Sequence, residues 1–267
     1  MRAPEPILLT SKANSRFKQM RAALDAPGVK RKQTVLLGEK LILEWFEAKA
    51  KIALAARNRL SPIRWLRLEG RKAHRVEEKL PLETWELSEN LMRDISGSAS
   101  PPSIALVMEL ADGPIDPLAD WVIVPWGIQD PGNLGAVLRS AAAFGFQEAI
   151  LGPECADPFN PKAMRGSMGA AFTMSFRRFS EEHFADGTWV ALDSGTGATP
   201  IGGVDLSAPL RLMVGNEGHG WRDADLPNRC VRASISITGV ESLNAAVAVG
   251  IACFEIARRR ECARGPE

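Results

Sequence analysis

Cysteine and histidine are scarce in this chain of 267 residues, which contains four cysteines and three histidines. The cysteines are Cys155, Cys230, Cys253 and Cys262. They show no Cys-x-x-Cys spacing and we expect no signal peptide, so the sequence predicts reduced thiols and a cytoplasmic protein rather than a disulfide framework. The histidines have no metal-pair spacing, so we expect no metal site.

Long hydrophobic runs and nucleotide-binding signatures are also missing. The longest apolar run, residues 245–254, is flanked by Asn244 and Glu255 and is too short to span a bilayer. The chain has no Gly-x-Gly-x-x-Gly fingerprint, and none of its glycine loops continues into Lys-Ser or Lys-Thr. A membrane protein is therefore not expected, and a nucleotide-dependent oxidoreductase ranks low among the candidate functions.

Charge is distributed unevenly along the chain, although the net charge is only +1. Residues 1–100 contain 20 Lys and Arg against 12 Asp and Glu, whereas residues 101–267 contain 13 against 20. A basic half joined to an acidic half indicates two separate roles, and the basic half is typical of a protein that binds a polyanion.

The first hundred residues predict a small α/β domain. A helix is expected from Ser15 to Ala26, a strand from Thr34 to Leu37 and a helix from Glu39 to Ala56. Residues 97–102 have the composition of a linker. We therefore expect a domain of residues 1–100 and a second of residues 101–267, with the strand Ile104–Leu110 able to belong to either side.

The second part alternates apolar, β-prone runs with helical patterns. The expected strands are 121–124, 149–151, 189–192, 210–214 and 233–237. This alternation predicts an α/β fold with a mostly parallel sheet and helices on both faces. Ligands on such sheets bind in loops at the carboxyl ends of the strands, so the chemistry is expected there.

The first candidate loop, residues 129–135, joins a strand to a predicted helix from Ala136 to Phe144. Its Asp-Pro-Gly sequence is turn chemistry, and Asn133 can cap the helix. Arg139 is the only charge on that helix, so it either pairs with a carboxylate or acts in a site.

Two later loops complete the set. Residues 213–220 run from a strand into a loop with three glycines around Glu217. The glycines would allow a ligand to approach the backbone closely, and they are equally compatible with a mobile turn. Residues 235–244 precede a helix from Ala245 to Ala257, which Ser242 can cap. Because that helix has almost no polar face, we expect it to be buried all round, with a second subunit against it.

Taken in order, these loops resemble the three motifs of the SpoU (TrmH-like) branch of the SPOUT RNA methyltransferases. The similar stretches are 130–135 with Arg139, 214–218, and 241–244, with a further similar segment at 157–169. The third motif departs from the family's Ile-Pro-Met pattern, since this chain has Ile-Ser-Ile at 235–237 and is one residue shorter. Residues 11–39 resemble, more weakly, the RNA-binding domain that precedes the catalytic domain in members acting on ribosomal RNA.

The resemblance implies transfer of a methyl group from S-adenosylmethionine to a ribose 2′-hydroxyl of RNA, by a homodimer whose catalytic domain contains a C-terminal trefoil knot. The catalytic residues it implies are Asn133, Arg139, Glu217, Ser242 and Asn244. The cofactor contacts it implies are Gly215, Asn216, Glu217, Gly218, Ile235, Ile237, Ser242 and Leu243.

Ribosomal RNA is the expected substrate, with transfer RNA or a non-catalytic RNA-binding role as alternatives. The expected RNA-binding residues are Arg16, Lys18, Lys30, Arg31, Lys32, Lys162 and Arg165. For Lys162 and Arg165, internal contacts are an equal alternative to phosphate contacts.

Overall fold

The protein is described by a computed structural model that covers residues 5–26, 32–51, 60–110, 119–185, 187–216, 221–222 and 225–264. Lys30, Arg31, Glu217 and Gly218 therefore lie outside the described residues. The described chain forms two sheets, one in each half.

The N-terminal half contains a five-stranded mixed sheet and three helices. Its elements are β1 (Ile7–Leu9), α1 (Ser15–Asp25), β2 (Gln33–Leu37), α2 (Glu39–Lys51), β3 (Leu60–Leu68), β4 (Thr84–Leu87), α3 (Glu89–Ser96) and β5 (Ile104–Leu110). The strand order is β1-β4-β3-β5-β2. The predicted helix α1 and strand β2 are confirmed, because their apolar spacing matches one buried face of each.

Strand β5 settles where the first sheet ends. It pairs antiparallel with both β2 and β3, so it lies between them in the N-terminal sheet. A boundary after residue 100 would remove this strand from the sheet that it completes. Of the two alternatives left open for this strand, membership of the first sheet is therefore the one observed, and the second sheet begins with the strand that starts at Trp121. The division of the chain into two domains stays a prediction.

The C-terminal half is a seven-stranded sheet in which every pairing is parallel. Its elements are β6 (Trp121–Pro125), α4 (Pro131–Ala143), β7 (Glu148–Leu151), α5 (Pro161–Ser167), α6 (Ala170–Thr173), β8 (Ser175–Arg178), β9 (Thr188–Leu192), β10 (Thr199–Pro200), β11 (Leu210–Val214), β12 (Val231–Ser234) and α7 (Ala245–Arg264). Helices flank the sheet, so the predicted α/β architecture is confirmed. The trefoil knot stays a prediction.

The strand order of this sheet, β10-β12-β9-β11-β6-β7-β8, reverses direction in the middle. The chain moves outward from β6 to β8 and then returns on the other side of β6 with β9 and β11. At such a reversal neighbouring loops leave in opposite directions and open a crevice at the carboxyl ends of the strands. The loops after β6, β9, β11 and β12 therefore surround one site.

An apolar cluster joins the two halves. Leu36 of β2 and Trp45 of α2 belong to the same buried cluster as Met164 of α5 and Phe172 of α6. The opposite face of the first sheet has its own cluster under α1 and α3. One face of the N-terminal sheet thus uses the second half of the chain as part of its core.

Two polar contacts fix the same junction. The hydroxyl of Thr34, which is fully buried, donates to the carbonyl of Phe159 at 2.5 Å. Arg165 Nη1 donates to the carbonyl of Ser96, at the end of α3, at 3.1 Å. Because directional bonds accompany the apolar contact, the two halves have a defined relative position.

Helices α4 and α5 pack backbone against backbone. A Cβ placed on Gly135 would lie 2.5 Å from the carbonyl oxygen of Ala163 and 2.9 Å from the amide nitrogen of Ser167. One placed on Gly166 would lie 3.1 Å from the carbonyl oxygen of Gly132. No side chain fits between these helices, so the loop before α4 is held against α5.

Three element predictions need correction. Helix α4 begins at Pro131 rather than Ala136, because proline suits the first helical turn and Asp130 caps it. Strand β12 covers 231–234 rather than 233–237. Helix α7 continues to Arg264, and it is not buried all round in one chain: Val247, Ile251 and Phe254 are 51%, 40% and 56% exposed.

We expect Gly135→Ala to lower the free energy of unfolding by about 1–3 kcal/mol, because the added methyl group overlaps backbone atoms that cannot move independently. Urea titration followed by circular dichroism measures the change. Gly202→Ala is the matched control, since a Cβ there meets no atom within 4 Å, and its effect should stay within about 0.5 kcal/mol. Equal stability of the two variants would contradict the described helix contact.

Candidate active-site cleft

A cleft of about 470 Å³ opens at the carboxyl ends of the central strands of the second sheet. Its lining comes from the loops after β6, β7, β9, β11 and β12 and from the first turn of α7. The volume lies within the range of about 300–1,000 Å³ that small-molecule sites occupy. The topological reversal of the sheet and the cavity therefore coincide.

Most of the expected cofactor contacts lie in this cleft. Six of them are among its lining residues: Gly215, Asn216, Ile235, Ile237, Ser242 and Leu243. The structure thus brings the second and third loops, which are about twenty residues apart in sequence, to opposite sides of one cavity. The other two expected contacts, Glu217 and Gly218, lie outside the described residues.

Two tryptophans form one wall of the cleft. Trp221 Nε1 donates to the carbonyl of Leu192 at 2.7 Å, which fixes the indole against the end of β9. A Cβ on Gly215 would lie 3.4 Å from the Trp221 ring, so that glycine is in close contact with the indole. Trp126 is 6.4 Å from Trp221 between ring centroids. Neither tryptophan was identified from the sequence, although Trp126 lies close to the end of the predicted strand 121–124.

A buried carboxylate lies in the same cleft. The side chain of Asp193 is 8% exposed and accepts from Arg232 at 2.8 Å and from the amide of Gly195 at 2.9 Å. These two donors hold the carboxylate in place at the end of β9. Sequence reasoning missed Asp193; its signal is a carboxylate placed directly after a buried parallel strand.

The start of α7 differs from the prediction. Asn244 caps the helix, because its Oδ1 accepts from the amide of Ala246 at 3.0 Å and its carbonyl accepts from the amide of Ala248. Ser242 is exposed and lines the cleft, so the prediction that it caps α7 is wrong. Capping favours the residue directly before the helix, and that position belongs to Asn244.

The first loop is held by an ion pair. Asp130 Oδ1 accepts from the amide of Asn133 at 2.9 Å, so Asp130 and not Asn133 is the helix cap. Its Oδ2 accepts from Lys162 Nζ, on α5, at 2.5 Å. The hydrogen bond from Lys162, followed by that from the Asn133 amide, lowers the pKa of Asp130 below its ordinary value. Asp130 therefore stays negatively charged at neutral pH and orders the entry into α4.

Arg139 lies on the outer surface of α4. It is exposed, and within the described part of the chain its guanidinium takes part in no hydrogen bond or ion pair. Arg139, Asn133 and Asn244 are not among the residues that line the cleft. The structure of one chain therefore leaves Arg139 available to an anion but does not place it in the cavity.

The expected RNA-binding residues divide into two groups. Arg16, Lys18 and Lys32 are exposed on the N-terminal half. Lys162 and Arg165 instead have internal partners, Asp130 and the carbonyl of Ser96. Of the two alternatives for this pair, the internal contact is the one observed, and RNA contact stays a prediction.

Within the ranges described above, no three His, Cys, Asp or Glu side chains come together in an arrangement suited to a metal ion. In the same ranges, no helix combines the length and apolar character that crossing a bilayer requires.

Comparison with known proteins identifies relatives of this chain. The model of the SpoU rRNA Methylase family matches residues 120–254. The 23S rRNA (guanosine(2553)-2′-O)-methyltransferase RlmP of Bacillus subtilis is 30% identical over 66% of this chain and 73% of its own length. An uncharacterized tRNA/rRNA methyltransferase of Synechocystis is 26% identical over 97% of this chain and 96% of its own.

A solved structure shares the fold. The SpoU methyltransferase AviRb from Streptomyces viridochromogenes, crystallised with AdoMet, superposes with a TM-score of 0.76 at 24% identity. The match covers 92% of this chain and 98% of AviRb, so it includes both sheets.

We expect Lys162→Met to raise the pKa of Asp130 toward its ordinary value, because the substitution removes the largest stabilisation of the carboxylate. Carboxyl-carbon NMR titration measures the shift. Asp205 is an internal control, because its pKa is lowered by Ser207, far from Lys162 along the chain, and should not move. An unchanged Asp130 titration would show that the ion pair is absent in solution.

Proposed function

Since the chain belongs to the SpoU rRNA methylase family, we propose that it transfers the methyl group of S-adenosylmethionine to a ribose 2′-hydroxyl of ribosomal RNA. The observation that carries the proposal is the assembly of the second and third motif loops around one cleft at the switch point of the parallel sheet. The name of the B. subtilis relative, which acts on 23S rRNA, supports ribosomal RNA as the substrate class.

The lining of the cleft fits this cofactor. Ile235 and Leu243 offer apolar surface to an adenine ring, and backbone groups of the same loops are available to its edge. Asp193, buried at the end of β9, is placed to accept hydrogen bonds from ribose hydroxyls. When bound, the cofactor supplies a methyl group that its positively charged sulfur has already activated.

The residues of this chain then have to position the hydroxyl and assist loss of its proton. Arg139 remains protonated in a protein, so it does not serve as the base. Its exposed guanidinium binds a phosphate of the RNA and stabilises negative charge as it develops on the ribose oxygen. The proton passes to a water molecule or to an RNA phosphate.

The other motif residues have supporting roles in this proposal. Asn133, which precedes Arg139 on α4, orients the substrate or the guanidinium. Asn244 orders the first turn of α7 as its cap, and Ser242 shapes the neighbouring edge of the cleft. Glu217 holds the second loop or a substrate group.

A homodimer completes the site. Val247, Ile251 and Phe254 repeat at helical spacing on the exposed side of α7, and Phe254 contacts Phe144 of α4 at 6.2 Å between ring centroids. An apolar stripe of this kind on a C-terminal helix suits a self-complementary interface. A second copy on this face would bring its own α4, with Arg139, toward the cleft of the first.

The N-terminal half holds the RNA. Arg16, Lys18 and Lys32 are exposed there and would neutralise phosphates, so affinity should fall as salt rises. A cytoplasmic location remains the prediction made from the cysteine pattern.

The reaction is tested by incubating the chain with labelled S-adenosylmethionine and unmodified 16S, 23S and transfer RNA, then mapping the bonds that become resistant to alkali. We expect methylation of one or a few ribosomal nucleotides. Modification confined to transfer RNA would support the transfer RNA alternative, and RNA binding without cofactor binding in calorimetry would support the non-catalytic one.

Arg139→Lys should reduce the rate of methyl transfer about 10²–10³-fold, because lysine retains the charge but loses the planar fork. Cofactor affinity should be unchanged, since Arg139 does not line the cleft. Arg93→Lys, at an exposed ion pair with Glu89 in the N-terminal half, is the control and should retain activity. Full activity of Arg139→Lys would refute the role of the guanidinium.

Val247→Glu should convert the dimer to a folded monomer, because it places a charge in an apolar interface. Sedimentation velocity measures the mass, and methyl transfer should fall with dimerisation. Leu8→Glu, at a 52% exposed apolar residue on β1, is the matched control. A wild-type chain that is fully active as a monomer would disprove the dimer.

A further inference from the structure

A second cavity of about 440 Å³ lies in the N-terminal half, beside α1. Gln33 begins β2 two residues before the buried Val35, and Trp85 on β4 belongs to the cluster that also contains Val35. Arg64 of β3 and Glu83, which precedes β4, also line the cavity. The sheet face under α1 is therefore mostly apolar, but polar side chains line the part of its edge that α1 does not cover.

Two buried polar atoms in this cavity have no hydrogen-bond partner among the described residues. They are the indole nitrogen Nε1 of Trp85, which is 4% exposed as a residue, and the amide oxygen Oε1 of Gln33. Most buried donors and acceptors are paired, so a donor and an acceptor left unpaired at one cavity call for an explanation. One explanation is that a ligand pairs with them.

Arg64 adds a flat, cationic surface. Its guanidinium lies 3.7 Å above the Trp85 ring, and its Nε donates to Glu83 at 2.9 Å. Its two terminal nitrogens donate to no acceptor within the described part of the chain. Guanidinium planes held in this way stack on unpaired RNA bases and can donate to their edges.

The chemistry of the cavity favours a base over a phosphate. Glu83 would repel a phosphate placed beside Arg64, whereas an uncharged ring with donors and acceptors on its edge tolerates the carboxylate. Arg16, an exposed cation that lines the cavity, would contact a phosphate next to the base.

We propose that this cavity binds one unstacked nucleobase of the RNA substrate, stacked on Arg64 and hydrogen-bonded through Gln33 and Trp85. The inference rests on the proposed function for the identity of the RNA. Binding requires side chains at the cavity to move, because the unpaired atoms are not accessible in the free protein.

The position of the cavity also bears on where the bound RNA lies relative to the catalytic half. Thr34, the residue after Gln33, points to the opposite face of β2 and donates to the carbonyl of Phe159 in the catalytic half. One strand thus connects the base cavity to the domain that contains the methyl-transfer cleft. A base held at Gln33 would set the register of the RNA relative to that cleft.

The test uses the full chain and fluorescent RNA octamers of A, C, G or U, together with a blunt duplex. Gln33→Met keeps the length of the side chain and removes its acceptor. We expect it to weaken binding of at least one octamer about tenfold, as for loss of one hydrogen bond, without weakening duplex binding. Because the acceptor is unpaired in the free protein, its removal should not lower the melting temperature. Gln147→Met, at an exposed glutamine of the catalytic half, is the control and should bind like the wild type.

Arg64→Lys supplies the second variant, since it retains the charge and removes the stacking plane. It should also weaken binding of the same octamer severalfold and leave the duplex unaffected. Equal losses of affinity for octamers and duplex would mean that the cavity contacts the RNA backbone rather than a base, which would overturn the proposal. Unchanged binding in both variants, or no octamer binding by the wild type, would also overturn it. These results can be separated from those of the methylation assay. If the chain transfers methyl groups but both variants bind the octamers like the wild type, only the base cavity is refuted. If octamer binding depends on Gln33 and Arg64 but the chain does not bind the cofactor, only the proposed reaction is refuted.

Discussion

The apolar contact of α5 and α6 with the first sheet determines the geometry on which the other features depend. Met164 and Phe172 complete a cluster that begins with Leu36 and Trp45, so each half buries part of its apolar surface only against the other. Each of these side chains contributes about 1.5–3 kcal/mol on burial, which is far more than an exposed ion pair provides. The half of the chain that is proposed to bind RNA is therefore packed directly against the half that contains the cleft.

The same helix α5 also carries Lys162, which orders the loop before α4 by pairing with Asp130. Domain packing and loop order are thus linked through one short helix of seven residues. A change in the N-terminal half that shifts α5 would also shift the loop of the first motif. This arrangement explains how a domain with no residue in the cleft can influence the reaction.

Periodicity and composition predicted much of the fold, because strands buried on both faces and helices with one apolar face leave clear patterns. The strand at 104–110 was ambiguous for a physical reason: its buried side chains face both clusters, so its own sequence does not reveal which sheet it joins. Motif resemblance grouped Gly215, Ile235 and Leu243, which line one cleft in the structure, and their contact with the cofactor stays a prediction. It did not reveal Asp193, Trp221 or the cavity at Gln33, since these depend on contacts between residues distant in sequence. The caps were misassigned because Asp130 and Asn244 precede their helices directly, whereas the predicted capping residues do not.

The close packing of α4 on α5 determines which residues of the first motif are evidence for catalysis and which are required by the fold. Gly135 is accounted for by backbone atoms of the adjacent helix, and Gly132 by the nearby side chains of Asp130 and Lys162. Asp130 is accounted for by its role as helix cap and by its lysine partner. Of the stretch from 130 to 139, only Asn133 and Arg139 remain without a structural explanation. A protein that has lost catalysis could therefore retain most of this motif because its fold requires it. The presence of the arginine distinguishes catalytic from non-catalytic members better than the length of the sequence match does.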